Sequence, residues 1–211
     1  MELPIEEALS GKRLSLARMQ DLVIGLIYDY AQPDAILYGG TAVWRCFGGG
    51  RFSEDIDIYV KAGFSGRFEK ILSKSGISVL GRDPELPLHM RLSDGETEML
   101  LEAGVGRYES VISQYARTDG TLMTITTLSP VELLIRKMEA YEGRRFIRDL
   151  YDIVHLTNYA DRDDYYLKRR LRQFLKDIEE PEDESILASL VYKGPVMPFR
   201  KMVKYLQRWS G

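Results

Sequence analysis

YGGTAVWRCFGGGRFSEDIDIY, residues Tyr38 to Tyr59, opens on a glycine pair and closes on two aspartates separated by one isoleucine. The run AILYG that leads into it reads as a short buried strand ending in a glycine turn, and TAVWRCF as a short helix. Gly48-Gly49-Gly50 then predicts a mobile connection. SEDIDIYV alternates, so it reads as a strand with Ile56 and Ile58 on one face and Asp55 and Asp57 on the other. Carboxylates two residues apart on a strand leave the same face about 6.6 Å apart at the backbone. Such a pair suits two Mg²⁺ ions, which take few protein carboxylates and complete their shells with water and phosphate oxygens. An Asp-x-Asp alone more often describes the solvated face of a strand. The upstream turn favours the metal reading: Gly39-Gly40-Thr41 follows a strand and opens a helix, where backbone N–H groups face an anion. The Thr41 hydroxyl would add a donor to that phosphate.

Around this stretch the chain alternates. Apolar positions at helical spacing (Leu16, Met19, Val23, Leu26, Ile27, Tyr30) predict a helix from Arg13 to Tyr30, broken at Pro33-Asp34. GRFEKILSKSG reads as a helix stopped by Gly76, ISVLG as a strand, LHMRLSD and ETEMLLEAG as a hairpin about Asp94-Gly95, and TLMTITT as a further strand. Ser129-Pro130-Val131-Glu132 then combines an N-cap serine, a first-turn proline and a capping-box glutamate. Nearly everything beyond it reads as helix, with breaks at EEPEDES and YKGPVMP. Two domains are expected, an α/β sheet domain over 1–128 and a helical domain over 129–211.

The 211 residues are 45% hydrophobic and 29% charged, the balance of a globular protein with a real core. Runs such as LVIGLI are too short to cross a bilayer, and the acidic, polar opening MELPIEEALS does not resemble a signal segment, so a cytoplasmic location is expected. The single cysteine, Cys46, excludes an intramolecular disulfide framework and a cysteine-rich zinc site. A net charge of −3 argues against bulk electrostatic attraction to nucleic acid, although Ser129 onward carries 16 Lys and Arg against 14 Asp and Glu.

GGTA followed by R-x-S-x-D-I-D-I resembles the nucleotidyltransferase superfamily of DNA polymerase β type. More narrowly it resembles the AbiEii/AbiGii group of toxin nucleotidyltransferases from type IV toxin–antitoxin and abortive-infection systems. The resemblance resumes in LSPVELLIRKMEAYEGRRFIRDLYDIVHL, similar to that group's lysine, alanine and arginine followed by Arg-Asp-x-x-Asp; together the two stretches cover about 50 residues. It implies an α+β, polymerase-β-like mixed sheet with flanking helices, and a helical C-terminal half that closes the active-site cleft. Gly39, Gly40 and Thr41 would hold nucleotide phosphates, and Asp55 and Asp57 would bind Mg²⁺, two ions in all, with Mn²⁺ as a substitute. Arg51 and Ser53 match the arginine and serine ahead of the aspartates; Arg51 would brace the loop or meet a phosphate, and a surface ion pair explains it as well. The superfamily's third carboxylate falls on ETEMLLEAG, where Glu102 fits the pattern better than Glu98 and both share one strand face. Lys137 matches the active-site lysine and would neutralise triphosphate or departing pyrophosphate. Asp149 matches a catalytic-site acid, with Asp152 structural, while Arg145/Asp149 and Arg148/Asp152 are also spaced as helix-surface ion pairs.

The implied reaction moves a nucleoside monophosphate from an NTP to a hydroxyl on an RNA 3′ end, especially tRNA, or on a protein, and an antitoxin encoded nearby is the expected partner. A small-molecule acceptor, as in antibiotic nucleotidyltransferases, keeps the same fold. A nucleotide-binding module without turnover is the third reading, opposed by the intact glycine turn, aspartate pair and lysine. His89 and His155 have no partner at ligand spacing, and Cys46 lacks a base, so all three read as packing. LKRRLRQFLK is a basic amphipathic helix whose Lys168, Arg169, Arg170 and Arg172 form a solvated face or contact RNA phosphates. The scattered tyrosines read mainly as core or rim residues, with base stacking as the alternative.

Overall fold

A computed structural model describes residues 4–31, 34–61, 64–82, 89–106 and 108–211; the expected helix breaker Pro33 and the expected strand residue Leu88 lie outside them. The first predicted helix is α2 (Gly11–Ala31), preceded by the single turn α1 (Ile5–Ala8). Met19, Val23 and Ile27 are buried as their spacing requires, but Gln20, Ile24 and Tyr28 complete the inner face. Leu16, Leu26 and Tyr30 stay at its margin.

Then follow β1 (Ile36–Tyr38), α3 (Gly39–Cys46), β2 (Ile56–Val60), α4 (Ser65–Lys74), β3 (Ser78–Arg82), β4 (His89–Ser93), β5 (Glu98–Val105), β6 (Ser110–Ala116) and β7 (Leu122–Leu128). The seven strands form one mixed sheet in the order β3-β4-β5-β2-β1-β7-β6. β2 runs parallel to β5 and β1 parallel to β7, and the other neighbours are antiparallel. Strand β6 is the element that the sequence pattern did not single out. Its cue was Asp119-Gly120, a turn dipeptide between two β-rich runs, where Gly120 takes a φ of +84°. Ile56, Ile58, Leu37 and Leu101 are fully buried, and α3 packs on β1, β2, β6 and β7.

Polar groups fix the helices to this sheet. Arg45, 1% exposed at the end of α3, pairs with Asp21 of α2 and lies over the rings of Trp44 and Tyr115. Asp21 also accepts from the Tyr115 hydroxyl (3.0 Å) and from the backbone N–H (2.8 Å) and hydroxyl (2.7 Å) of Thr118, so one carboxylate ties α2, α3 and the β6–β7 hairpin together. The Tyr28 hydroxyl accepts from Leu37 N (2.9 Å) and donates to Thr126 O (2.5 Å), bridging β1 and β7, which otherwise pair briefly.

The chain divides into two compact units, one of residues 1–46 with 53–128 and the other of residues 47–52 with 129–211. The second unit is helical: α5 (Pro130–Arg144), α6 (Ile147–Leu156), α7 (Tyr165–Lys176), α8 (Leu187–Leu190) and α9 (Phe199–Ser210). The Ser129 hydroxyl accepts from Glu132 N at 3.2 Å and Pro130 takes the first turn, as the capping pattern predicts. The glycine run differs from its expected mobility. Gly50 O accepts from Tyr192 N (3.0 Å) and Lys193 N (3.1 Å), Phe52 N donates to Leu190 O (2.9 Å), and Phe47 O accepts from Tyr159 at 2.5 Å. A Cβ on Gly50 would come 2.0 Å from Lys193 O, so the glycine serves close backbone approach, not flexibility.

Tyr28→Phe deprives the buried Leu37 N–H of its acceptor and should destabilise the protein by about 1–3 kcal/mol in urea denaturation, without changing the far-UV spectrum.

Candidate active site

In the first unit, the site is built where β1, β2 and β5 lie side by side. Tyr38, the last residue of β1, is the register partner of Asp57 on β2, and Asp57 is the register partner of Glu102 on β5. Neighbouring strands lie about 4.8 Å apart and cross-strand partners share a face. His89 on β4 opposes Glu102 and completes the row. Glu102 thus stands beside Asp57 in the sheet. Glu98, at the far end of β5, pairs loosely with Arg91 at 3.8 Å and lines a surface pocket with Asp55, Leu16, Arg91 and Leu100.

β2 begins at Ile56, and Asp55 immediately precedes it, two residues before Asp57. The Thr41 hydroxyl, expected on a phosphate, donates to Asp55 O at 2.5 Å and ties the start of α3 to the aspartate segment. Ser53 is held from behind, its carbonyl accepting from the Nε2 of buried Gln20 at 2.9 Å. Sequence inspection passed over this Gln20, although a glutamine on the apolar face of a helix is a cue for a buried hydrogen bond.

The turn itself is the first turn of α3, which starts at Gly39. Gly39 has a φ of +72°, and a Cβ there would lie 1.8 Å from Asp57 Oδ2. The glycine lets helix start and carboxylate share one space. Burial first, then the negative charge of Asp57 and Glu102 and contact with Tyr59, push the Tyr38 hydroxyl well above its ordinary pKa, keeping it a neutral donor beside the acids. Among the described residues, no group of three or more His, Cys, Asp or Glu side chains converges into a metal-binding cluster.

The second unit contains a buried charge network. Lys137 Nζ donates to Asp149 Oδ1 (3.0 Å) and to Asp152 Oδ2 (2.8 Å). Arg51 grips Asp152 with two bonds, at 2.6 and 2.5 Å, and Arg144 grips Asp149 with two, at 2.8 and 3.0 Å. Asp149 is fully buried and Asp152 is 1% exposed, so this arrangement replaces the expected surface pairs Arg145/Asp149 and Arg148/Asp152. Arg145 instead closes α5 in a left-handed conformation and pairs with Glu179 and Glu182, and Arg148 lies over Phe146. Arg51 therefore braces the segment 47–52 against α6. Burial would by itself raise the Asp149 pKa, but the Lys137 charge and the Arg144 bonds and charge outweigh it and hold the carboxyl below its ordinary value.

The remaining candidates have structural partners. His155 Nε2 bonds Phe47 O at 2.6 Å. Burial pushes the Cys46 thiol up to about 12, against the opposing charge of Arg45, so it is no ready nucleophile. On α7, Arg170 is paired with Glu142, Arg172 donates to Ser210 O, Lys168 reaches Gly211 O at 3.4 Å, and Arg169 is exposed.

Gly39→Ala should lower nucleotidyl transfer by about 100-fold or more and also lower the thermal midpoint, because the added methyl both strains a left-handed backbone and displaces the Asp57 carboxylate. Asp149 stabilises the fold above its unfolded pKa, about 4, and that contribution is lost as pH falls through its lower folded value. Asp149→Asn should cost about 3–5 kcal/mol at pH 7 and converge on the parent protein as pH falls below about 4, read from urea midpoints.

No curated protein matches the chain in sequence. Solved structures match in fold over most of its length. The nucleotidyltransferase toxin MenT4 of Mycobacterium tuberculosis superposes with a TM-score of 0.60 at 19% identity, covering 94% of this chain and 87% of its own. JHP933 of Helicobacter pylori gives 0.62 at 18% identity, covering 96% and 91%. ANT(2″)-Ia, solved with adenylyl-2″-tobramycin, gives 0.52 at 11% identity, covering 77% and 98%. The shared architecture is the polymerase-β-like mixed sheet with flanking helices. A family model described as the nucleotidyl transferase AbiEii toxin of type IV toxin–antitoxin systems matches residues 25–195. That match spans most of the 211 residues and includes the glycine turn, the aspartates and Lys137: the chain belongs to the AbiEii family of toxin nucleotidyltransferases.

Proposed function

We propose that the chain transfers a nucleoside monophosphate from an NTP to a hydroxyl at an RNA 3′ end, and that this reaction makes it the toxin of a toxin–antitoxin pair. One observation carries the reading: Gly39, Asp57 and Glu102 meet on one sheet face, the glycine against the carboxylate and the two acids in register. A helix start that faces a triphosphate is thereby joined to two acids that face the phosphorus to be attacked.

The donor set fits Mg²⁺ of the kind that nucleotide enzymes use, since one or two carboxylates plus substrate phosphates suffice and no closed protein cage is required. Asp57 and Glu102, with Asp55 beside them, would hold the ion, which when bound supplies charge neutralisation on the triphosphate and a lower pKa for the attacking hydroxyl. The backbone N–H groups of Gly39, Gly40 and Thr41 bind and orient the β- and γ-phosphates, with the Thr41 side chain keeping the turn in register with Asp55. The acceptor oxygen bonds to the α-phosphorus as the bond to pyrophosphate breaks, and the hydroxyl proton leaves to solvent. Lys137, fixed between two carboxylates, is proposed to supply positive charge to the departing pyrophosphate, with Asp149 setting its position. An antitoxin would counter the product or the reaction, and it need not bind the chain.

Incubation with each labelled NTP, Mg²⁺ and total RNA tests the proposal. Label should pass to RNA in the parent protein and fall by about 100-fold or more in Asp57→Ala. Transfer to a small hydroxylated acceptor but not to RNA would assign the chain to the reading that ANT(2″)-Ia represents; no transfer to any acceptor would overturn the proposed activity.

A further inference from the structure

Three tyrosines stand on the same sheet face as the acids. Tyr38 is the register partner of Asp57, and Tyr59 lies two residues beyond Asp57 along β2, so both side chains share its face. The Tyr38 and Tyr59 rings stack at 4.1 Å with 10° between planes, and Tyr59 and Tyr108 at 4.0 Å with 34°. Two glycines make room for them. A Cβ on Gly104, the register partner of Tyr59 on β5, would come within 3.0 Å of the Tyr59 ring, and one on Gly106 would come 2.4 Å from that of Tyr108. Tyr59 is 9% exposed, while Tyr38 and Tyr108 keep part of their surface accessible.

The column has a direction. Tyr59 opposes Ile36, so from Asp57 it leads back along β1, away from the glycine turn at Gly39. With the triphosphate tail on that turn, pyrophosphate departs toward it. In-line displacement then brings the attacking oxygen from the opposite side of the α-phosphorus. The aromatic column therefore lies on the acceptor's side of the acids. Tyr38 and Tyr59 lie nearly parallel about 4 Å apart, with Tyr108 tilted against Tyr59 at the same spacing; a further planar ring extends such a column, and aromatic side chains bind single-stranded nucleic acid in this way.

We infer that this column is an acceptor platform: Tyr108 stacks on the terminal nucleobase of a single-stranded RNA 3′ end and so delivers its hydroxyl to the face of Asp57 and Glu102. The inference rests on the nucleotidyl-transfer reading above and names the acceptor it prefers.

Steady-state transfer by the full chain tests it, with a hairpin RNA bearing a short single-stranded 3′ tail and the same RNA lacking only the 3′-terminal base. The parent protein should show a KM for the abasic RNA about 5- to 100-fold higher than for the intact one. Tyr108→Leu should raise the KM for intact RNA to the abasic value and leave the KM for NTP unchanged, while Tyr108→Phe keeps both parent values. Equal KM for the two RNAs in the parent protein overturns the platform, and that arm needs no variant. A Tyr108→Leu effect on the NTP alone also overturns it, assigning the column to the incoming nucleotide. Transfer to a protein or small hydroxylated acceptor but to neither RNA overturns the platform and leaves nucleotidyl transfer standing. No transfer to anything removes both.

Discussion

Gly39 leaves space for a hydrogen, and the Asp57 carboxylate occupies the rest. That contact sets where the start of α3 can stand relative to the acids, and much of the first unit keeps it in place. Thr41 ties the turn to the Asp55 backbone, Gln20 holds Ser53 from behind, and the Arg45–Asp21 pair anchors the far end of the helix. None of these side chains faces substrate in the proposed reaction. They fix a short helix to a strand so that the glycine turn and a carboxylate meet without rearrangement, the kind of preorganisation on which phosphoryl transfer depends.

The second unit solves a different problem. Five charges, Arg51, Asp152, Lys137, Asp149 and Arg144, are joined in a chain with alternating sign. Desolvation of such a set is costly unless every member is paired, and pairs at 2.5–3.0 Å meet that condition here. With three cations and two carboxylates the set retains positive charge. It also pins the segment 47–52, because Arg51 is one of its members.

Much of the fold was legible because its signals are local. Alternation at Asp55 to Tyr59, the Ser129–Glu132 cap and the Asp94-Gly95 hairpin each report a conformation within a few residues. β6 was less legible: an edge strand packed on one face lacks the buried run that marks β2, and its turn dipeptide was the better sign. The site was legible in its residues but not in its pairings. Nothing in the spacing of Arg145 and Asp149 reveals that Arg144 takes the carboxylate, since the left-handed cap at Arg145 ends the helix between them. Likewise Arg51 and Asp152 are 101 residues apart, and the register that sets Glu102 beside Asp57 depends on how two distant strands align. The tyrosine column was invisible for the same reason. Its members come from two strands and the connection after β5, and the glycines that accommodate it look like ordinary turn residues.

The choice between the two glutamates of β5 bears most directly on this site. Pyrophosphate release should be measured with NTP, Mg²⁺ and RNA for Glu102→Gln and Glu98→Gln, each checked for an unchanged thermal midpoint. The register predicts that Glu102→Gln loses about 100-fold or more, while Glu98→Gln stays within a few-fold of the parent protein. Equal loss in both, or loss in Glu98→Gln alone, would contradict the site built on Gly39, Asp57 and Glu102.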